Sequence, residues 1–208
     1  MCINNRASTS WPITLEEPMM RLNRRLMLAG LAALPAGCAS PNPALYTLDV
    51  LPGAVRSGAP AVVEVRSVAI ARYLERSQIV RSSEDYRLDV LSNEWWGEPL
   101  DAMLTRVLVQ ELAQRLPSST VYGDNGAVSV RPDATLAVNV QRMDQGRDGL
   151  VVLSGQIAVT GGRREAARSV RLTARPAGTS TSALVAAMST ATAALADEAA
   201  ALLVKARV

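Results

Sequence analysis

Apolar residues follow two different periods along this chain. Between Leu45 and Leu51, Tyr46, Leu48 and Val50 alternate with Thr47 and Asp49. That two-residue period predicts a half-buried strand. Pro52-Gly53 ends it, and the segment from Ser57 to Pro60 predicts a turn or loop. Ala61 to Ile70 is β-branched and apolar and predicts a central strand. Further strands are expected at Gln78 to Ser82 and at Arg87 to Leu91, the second with Leu88 and Val90 on one side and Arg87, Asp89 and Leu91 on the other. Ser83-Glu84-Asp85 between them suits a hairpin turn. Ser92 to Pro99 leads into a change of period: Leu100, Met103, Leu104, Val107, Leu108, Glu111, Leu112 and Leu116 fall on helical spacing. Pro99 fits the first helical turn, where its missing N–H costs nothing, and Pro117 stops the helix. Alternation returns at Thr135 to Val140, Leu150 to Val159 and Ser169 to Ala174, with hairpin turns expected at Gly146 to Gly149 and at Gly161-Gly162. In the alanine-rich end, Leu184, Met188, Ala191, Leu195, Ala199 and Leu202 recur at three- and four-residue steps, an amphipathic helix with small side chains. No solenoid period is present. The expectation is one α+β domain, a mainly antiparallel sheet with two helices packed on one face.

Ahead of Leu45 the pattern is of another kind. Arg21, Arg24 and Arg25 precede an apolar run from Leu26 to Ala36. That run falls within the ~7–15 residues of a signal peptide core and short of the ~20 that span a bilayer. Small residues, Ala36 and Gly37, then lead into Cys38. The stretch resembles a bacterial lipoprotein signal, in which the cysteine thiol is acylated and becomes the new N-terminus. Pro35 holds the place three before the cysteine where an aliphatic residue is usual. An ordinary cleaved secretory signal and an uncleaved anchor helix remain as alternatives. The coincidence of charged region, core length and small-Cys junction favours acylation of Cys38. Residues 1–19 are read as a mis-assigned start, with translation beginning at Met19 or Met20. Residues 20–37 are then the signal, 38–44 a lipid-anchored tether stiffened by Pro41 and Pro43, and 45–208 the folded domain.

The charge changes meaning once the signal is set aside. The chain has 208 residues, 22 basic and 19 acidic. The first 37 hold four arginines and two glutamates, which leaves 18 basic against 17 acidic and a net charge of +1 instead of +3. No basic block exceeds Arg163-Arg164, and aromatics are only 3% with no Phe, so neither a phosphate footprint nor a base-stacking platform is expected, and no nucleic-acid partner. The chain has no histidine. That removes Ser-His-Asp and Cys-His catalysis and most zinc sites. No phosphate loop, nucleophile elbow or dinucleotide turn occurs. Cys2 lies in the discarded segment, so no disulfide is expected. The carboxylate pairs Glu84-Asp85, Asp197-Glu198 and Glu94 with Glu98 read as solvated turn or helix-start charges. No catalytic residue, cofactor or metal is expected. Trp95-Trp96 is unusual in so aromatic-poor a chain. Only one of two neighbours points inward easily, so one anchors the helix entry and the other is a candidate partner contact.

Several segments together resemble the PqiC/YmbA family of auxiliary lipoproteins in ABC-type and MCE-type transport systems of Gram-negative bacteria. After the lipoprotein signal come Tyr46-Thr47-Leu48, the Val65 to Ile70 strand and Tyr73-Leu74-Glu75-Arg76-Ser77-Gln78-Ile79-Val80. Then follow Trp95 and Glu98-Pro99-Leu100, opening a helix with Leu108 and Leu112, and finally the Leu153 to Val159 strand and the terminal helix. The resemblance covers nearly the whole chain after Cys38. It implies a non-enzymatic periplasmic domain anchored in the outer membrane, docking an MCE tube protein that carries lipid, together with inner-membrane transport components. It also implies support of membrane integrity, and a homo-oligomeric ring is the natural match to a cyclic partner. Ala39 and Ser40 after the cysteine, with no Asp, fit outer-membrane sorting. Tyr73, Leu74, Gln78, Trp95 and Trp96 are the candidate contacts or helix anchors. A competing expectation is a lipid- or small-ligand-binding module with no transporter partner.

Overall fold

The longest alternating stretch, Ala134 to Gln145, becomes the spine of the sheet. In chain order the strands are β1 (Ala44–Tyr46), β2 (Val62–Val65), β3 (Ala69–Ile70), β4 (Gln78–Ser82), β5 (Asp89–Trp96), β6 (Thr120–Gly123), β7 (Ala134–Gln145), β8 (Val151–Thr160) and β9 (Ala166–Ala174). The helices are α1 (Leu100–Arg115) and α2 (Thr181–Arg207), and a 3-10 turn spans Arg72–Leu74. The computed structural model describes residues 42–125, 130–161 and 164–207; the signal region, Cys38 and Gly162 lie outside the described residues.

On β7, Ala134, Leu136, Val138 and Val140 are buried, while Thr135, Ala137 and Asn139 are partly or fully exposed. One edge of β7 pairs antiparallel with β8 along its length, and β8 pairs antiparallel with β9. The other edge is shared by three short strands laid end to end, all parallel to β7: β2 beside Ala134 to Leu136, β3 beside Asn139 and Val140, and β4 at Gln145. Outside β2 lies β6, parallel; outside β4 lies β5, antiparallel; outside β5 lies β1, parallel. The α+β class holds, and the sheet is mixed. Alternation reports which face a residue takes, not the direction of its neighbour. The parallel joins come from long returns, such as the one through β3, β4, β5 and α1 that brings β6 beside β2.

Helix α2 packs on β7, β8 and β9, and α1 packs on α2, β2 and β6. By length and composition α2 would pass for a membrane span, but 67% of its apolar window is buried in the domain. Its alanines, including Ala191, Ala196, Ala199 and Ala200, are buried and let it lie close to the elements it packs on.

Four local expectations are corrected. The Ala61–Ile70 strand breaks at Arg66–Val68, where the Val68 N–H turns to donate to Thr105 Oγ1 on α1 at 2.9 Å. The ladder of β1 ends at Tyr46; Leu48 is buried as predicted, but residues 47–51 run between the helices instead of along a strand. β5 starts at Asp89 and continues through both tryptophans instead of running from Arg87 to Leu91; Leu91 on it is buried, while Leu88, ahead of the strand, is exposed. The β4–β5 ladder carries register irregularities on either side of Val80. Thr120–Gly123 forms a strand that four residues are too few to announce.

Candidate functional site

The two motif segments that carry the family resemblance meet. Glu75, Arg76 and Ser77 face Trp96, Gly97, Glu98, Pro99 and Leu100 across an open cleft of about 660 Å³, closed on a third side by Val68 to Ile70. The backbone fixes both walls: the Trp96 N–H donates to Ser77 O at 2.7 Å, and the Gly97 N–H to Tyr46 O at 2.8 Å. Val68, Trp96 and Leu100 are buried beneath, and Glu75, Arg76, Ser77 and Asp101 are exposed at the rim. Arg106 donates to Glu98 Oε1 at 2.6 Å and to Thr47 Oγ1 at 3.2 Å, tying the start of α1 to β1. Pro99 sits one place before the first helical residue, and the Met103 N–H donates to its carbonyl at 3.0 Å. An apolar floor with a polar, charge-bearing rim is the anatomy of a protein contact.

Behind this cleft, the β4–β5 hairpin is braced from below. Asp144 is fully buried and accepts from Tyr73 Oη at 2.8 Å, Ser83 Oγ at 2.6 Å and Arg142 Nε at 2.8 Å. Arg142 also holds Glu84 at 2.6 Å, and Arg147 joins Glu84 at 3.2 Å and pairs with Asp85. Hydrogen bonding from Arg142 keeps the Glu84 carboxyl below its ordinary range. Burial, then the bond to Asp144, pushes the Tyr73 hydroxyl upward, so it stays a donor at any ordinary pH.

A second buried cluster joins α1, α2 and the segment after β1. Arg115 is fully buried and donates to Asp197 Oδ1 at 2.6 Å, Ala193 O at 3.1 Å, Leu51 O at 3.2 Å and Glu111 O at 3.2 Å. Glu111, also fully buried, accepts from the Leu51 N–H at 2.9 Å; its other carboxyl oxygen has no hydrogen-bond partner. The Asp49 N–H donates to Ser189 Oγ at 3.0 Å, and the Arg56 N–H to Arg115 O at 2.7 Å. Residues 49–56 are thus strapped down by groups from both helices.

Burial raises the Glu111 pKa to about 7, against partial relief from the Leu51 N–H and Arg115. A carboxyl whose folded pKa lies above its unfolded value of 4.5 binds its proton more tightly in the fold. Its contribution to stability is full below about pH 4.5 and is lost as pH rises through about 7. Glu111→Gln keeps the Leu51 acceptor and carries no charge. It is expected to be more stable than the parent at pH 8 by roughly 1–3 kcal/mol, and so to melt higher there, with no such gain at pH 5. Thermal melts of both proteins at the two pH values check this.

Of the residues singled out from sequence, Trp96 is buried and lines the cleft, and Leu74, which directly precedes the cleft-lining Glu75, is buried. Gln78 and Trp95 are half-buried and pair across β4 and β5; Trp95 donates to Ser92 O at 3.1 Å. Tyr73 is half-buried in the Asp144 network. Cys38 lies outside the described residues. Asp197 and Glu198 sit mid-helix, not at a helix start, and pair with Arg115 and Arg168. Neither buried cluster was singled out. Glu111 on the apolar spacing of α1, with Arg115 one turn on, was the available signal for the second.

The family model described as "ABC-type transport auxiliary lipoprotein component" matches residues 46–200. One crystal structure, of a protein described as uncharacterized, superposes with a TM-score of 0.65 at 23% identity, covering 77% of this chain and 98% of its own. Another, of protein XCC0632 from Xanthomonas campestris, assigned to DUF330, gives 0.61 at 18% identity, covering 78% and 95%. At those identities the likeness speaks for the fold. No curated protein matches. The chain belongs to the family of ABC-type transport auxiliary lipoproteins, the PqiC/YmbA type expected from its motifs. Its members are auxiliary components of transport systems.

Proposed function

We propose that this chain is a non-catalytic accessory subunit of an MCE/ABC-type system that moves lipid or another hydrophobic compound and supports membrane integrity. Acylated Cys38 holds it at the periplasmic face of the outer membrane, where it docks a periplasmic MCE tube protein, as a homo-oligomeric ring if the partner is cyclic. The observation that supports this reading most is the meeting of the Tyr73–Val80 and Trp95–Leu100 motifs around one open, polar-rimmed cleft. Several acyl chains on one cysteine hold stably where a single chain is marginal. Tethering then raises the domain's effective concentration at the partner, so a modest contact surface suffices.

The cleft has the size of a small-ligand site as well, and that favours a second reading, a lipid-binding module. One experiment separates them. Lipidated full-length protein is purified together with a co-expressed periplasmic MCE protein of the same organism, and both are extracted for bound lipid. The docking reading expects co-purification, weakened about tenfold by the rim substitution Arg76→Glu with no change in melting temperature. Co-purification that ignores Arg76→Glu, or none at all, removes the cleft as the docking face. Lipid extracted from the isolated protein, and lost in the variant, establishes the second reading.

A further inference from the structure

The hairpin between β4 and β5 holds its shape against local preference. Asp85 and Tyr86 are consecutive non-glycine residues at φ 55° and 60°. Such backbone persists where surrounding contacts over-determine it, and functional sites are where such strain collects. Here the contacts are Arg142 and Arg147 on Glu84 and Asp85, with Ser83 on buried Asp144. The result is that Tyr86 is fully exposed at the tip, followed by Arg87 and exposed Leu88. Among the described residues nothing packs over Tyr86. Arg87 and, on the neighbouring loop after β9, Arg175 have no ion-pair partner among the described residues.

The direction of the chain says what lies opposite this tip. β1 runs parallel to β5 with Ala44 beside Glu94. Moving back from Ala44 therefore leads along β5 toward Asp89 and the hairpin, while moving forward leads away toward Arg115 at the far end of α1. From the level of Glu94 to that of Asp89 is about 17 Å at strand rise. Cys38 stands six residues before Ala44 and cannot be more than about 20 Å from it. The N-terminal end of β1 thus points toward the hairpin, and six residues of chain, about 20 Å at full stretch, exceed the roughly 17 Å from the Ala44 level to the hairpin's base at Asp89. Leu45, two-thirds exposed, is on that same edge strand.

We infer that the β4–β5 hairpin tip, Tyr86 with Arg87 and Leu88, is a second membrane contact, seated in the phospholipid headgroup layer beside the acylated cysteine. Tyrosine suits that layer because its ring is apolar and its hydroxyl stays wet. An arginine beside it meets phosphate, and a leucine adds apolar area. A short tether and a rigid two-point contact fix the domain's tilt on the membrane, and with it the direction in which the cleft opens. The inference rests on the anchored reading of Cys38.

The test uses full-length lipidated protein in vesicles of phosphatidylethanolamine and phosphatidylglycerol that also contain a spin-labelled lipid. A fluorophore is placed through Tyr86→Cys, and in a second protein through Val55→Cys, an exposed site on the strap beyond β1. Mass spectrometry of Cys38 and flotation are read first. Acylated, floating protein whose probe at position 86 is blue-shifted and quenched by the lipid at least about two-fold more than that at position 55 supports the contact. Acylated, floating protein with both probes equally in water overturns the contact and leaves the anchor standing. A probe at position 86 shielded only after a protein partner is added also overturns it, in favour of docking. Unmodified Cys38 with the protein left in the soluble fraction overturns both.

Discussion

Arg115→Met is expected to cost about 3–5 kcal/mol of stability, the usual result of removing one member of a buried ion pair. The hydrophobic replacement fills the space well enough; what it cannot do is satisfy the groups left behind. Arg115 serves Asp197 and the carbonyls of Leu51, Glu111 and Ala193, all at 3.2 Å or less. Without it, those acceptors lose a donor inside the helix pair, and the buried Glu111 carboxylate loses its nearest cation at 3.9 Å. The segment that follows β1 then loses its hold on the helices, since Leu51 is gripped from both sides, N–H by Glu111 and carbonyl by Arg115. For a domain of this size the loss corresponds to a fall in melting temperature on the order of 10 °C. Asp197→Asn should be milder, because that carboxylate is 42% exposed and water replaces much of what it loses. Thermal and urea unfolding of the two variants check the order; equal losses would mean that the carbonyl bonds of Arg115 contribute little. Gly53 belongs to the same argument, since a Cβ there would come within 2.2 Å of the guanidinium carbon. The strap can pass over Arg115 only because that position has no side chain.

This cluster also marks where sequence reading stops. Helix α1 was legible from its spacing because seven apolar positions repeat at one period, and the same spacing placed Glu111 on the buried side. A carboxylate on an apolar stripe is a visible contradiction, and one turn on stands an arginine of opposite charge. What periodicity cannot supply is the third party. Asp197 lies in another helix, and the Leu51 backbone in a segment whose own alternation suggested a strand. Trp96 was legible as the inward member of its pair only in the sense that one of two neighbours had to be; irregular pairing with β4 decides which. The cleft itself was legible only as two motifs apart in sequence. Their meeting depends on β4 and β5 being antiparallel neighbours and on β1 closing the outside, which no local pattern states. Asp144 was illegible for a sharper reason: by strict alternation from Val140 it would face the core.

Gly155→Ala is expected to cost about 3 kcal/mol or more, because the clash is with backbone that has nowhere to move. Gly155 sits on β8 between Val140 of β7 and Val170 of β9, in the middle of the sheet. An added Cβ would lie 2.1 Å from the Asn139 carbonyl oxygen and 3.1 Å from Val140 Cα. The close approach arises at an irregularity: the β7–β8 pairing passes from Val140–Gly155 to Arg142–Ser154, leaving Gln141 as an extra residue. That bulge reverses the faces of β7. Before it, the even positions Ala134 to Val140 point to the helices; after it, Met143, opposite Leu153, is the buried apolar residue. Asp144 is thereby turned to the other side, where Tyr73, Ser83 and Arg142 collect on it and brace the hairpin. A side chain at position 155 pushes against the backbone that makes this switch. Gly155→Ala should therefore lower the urea midpoint and also loosen the hairpin, seen as faster amide exchange at Ser83 to Arg87. Gly178→Ala, with nothing within 4 Å of the new methyl, is the matched control and should change neither. A Gly155→Ala protein with parental stability and parental exchange would mean that the two strands do not approach as described, and that the carboxylate beneath the hairpin is held in some other way.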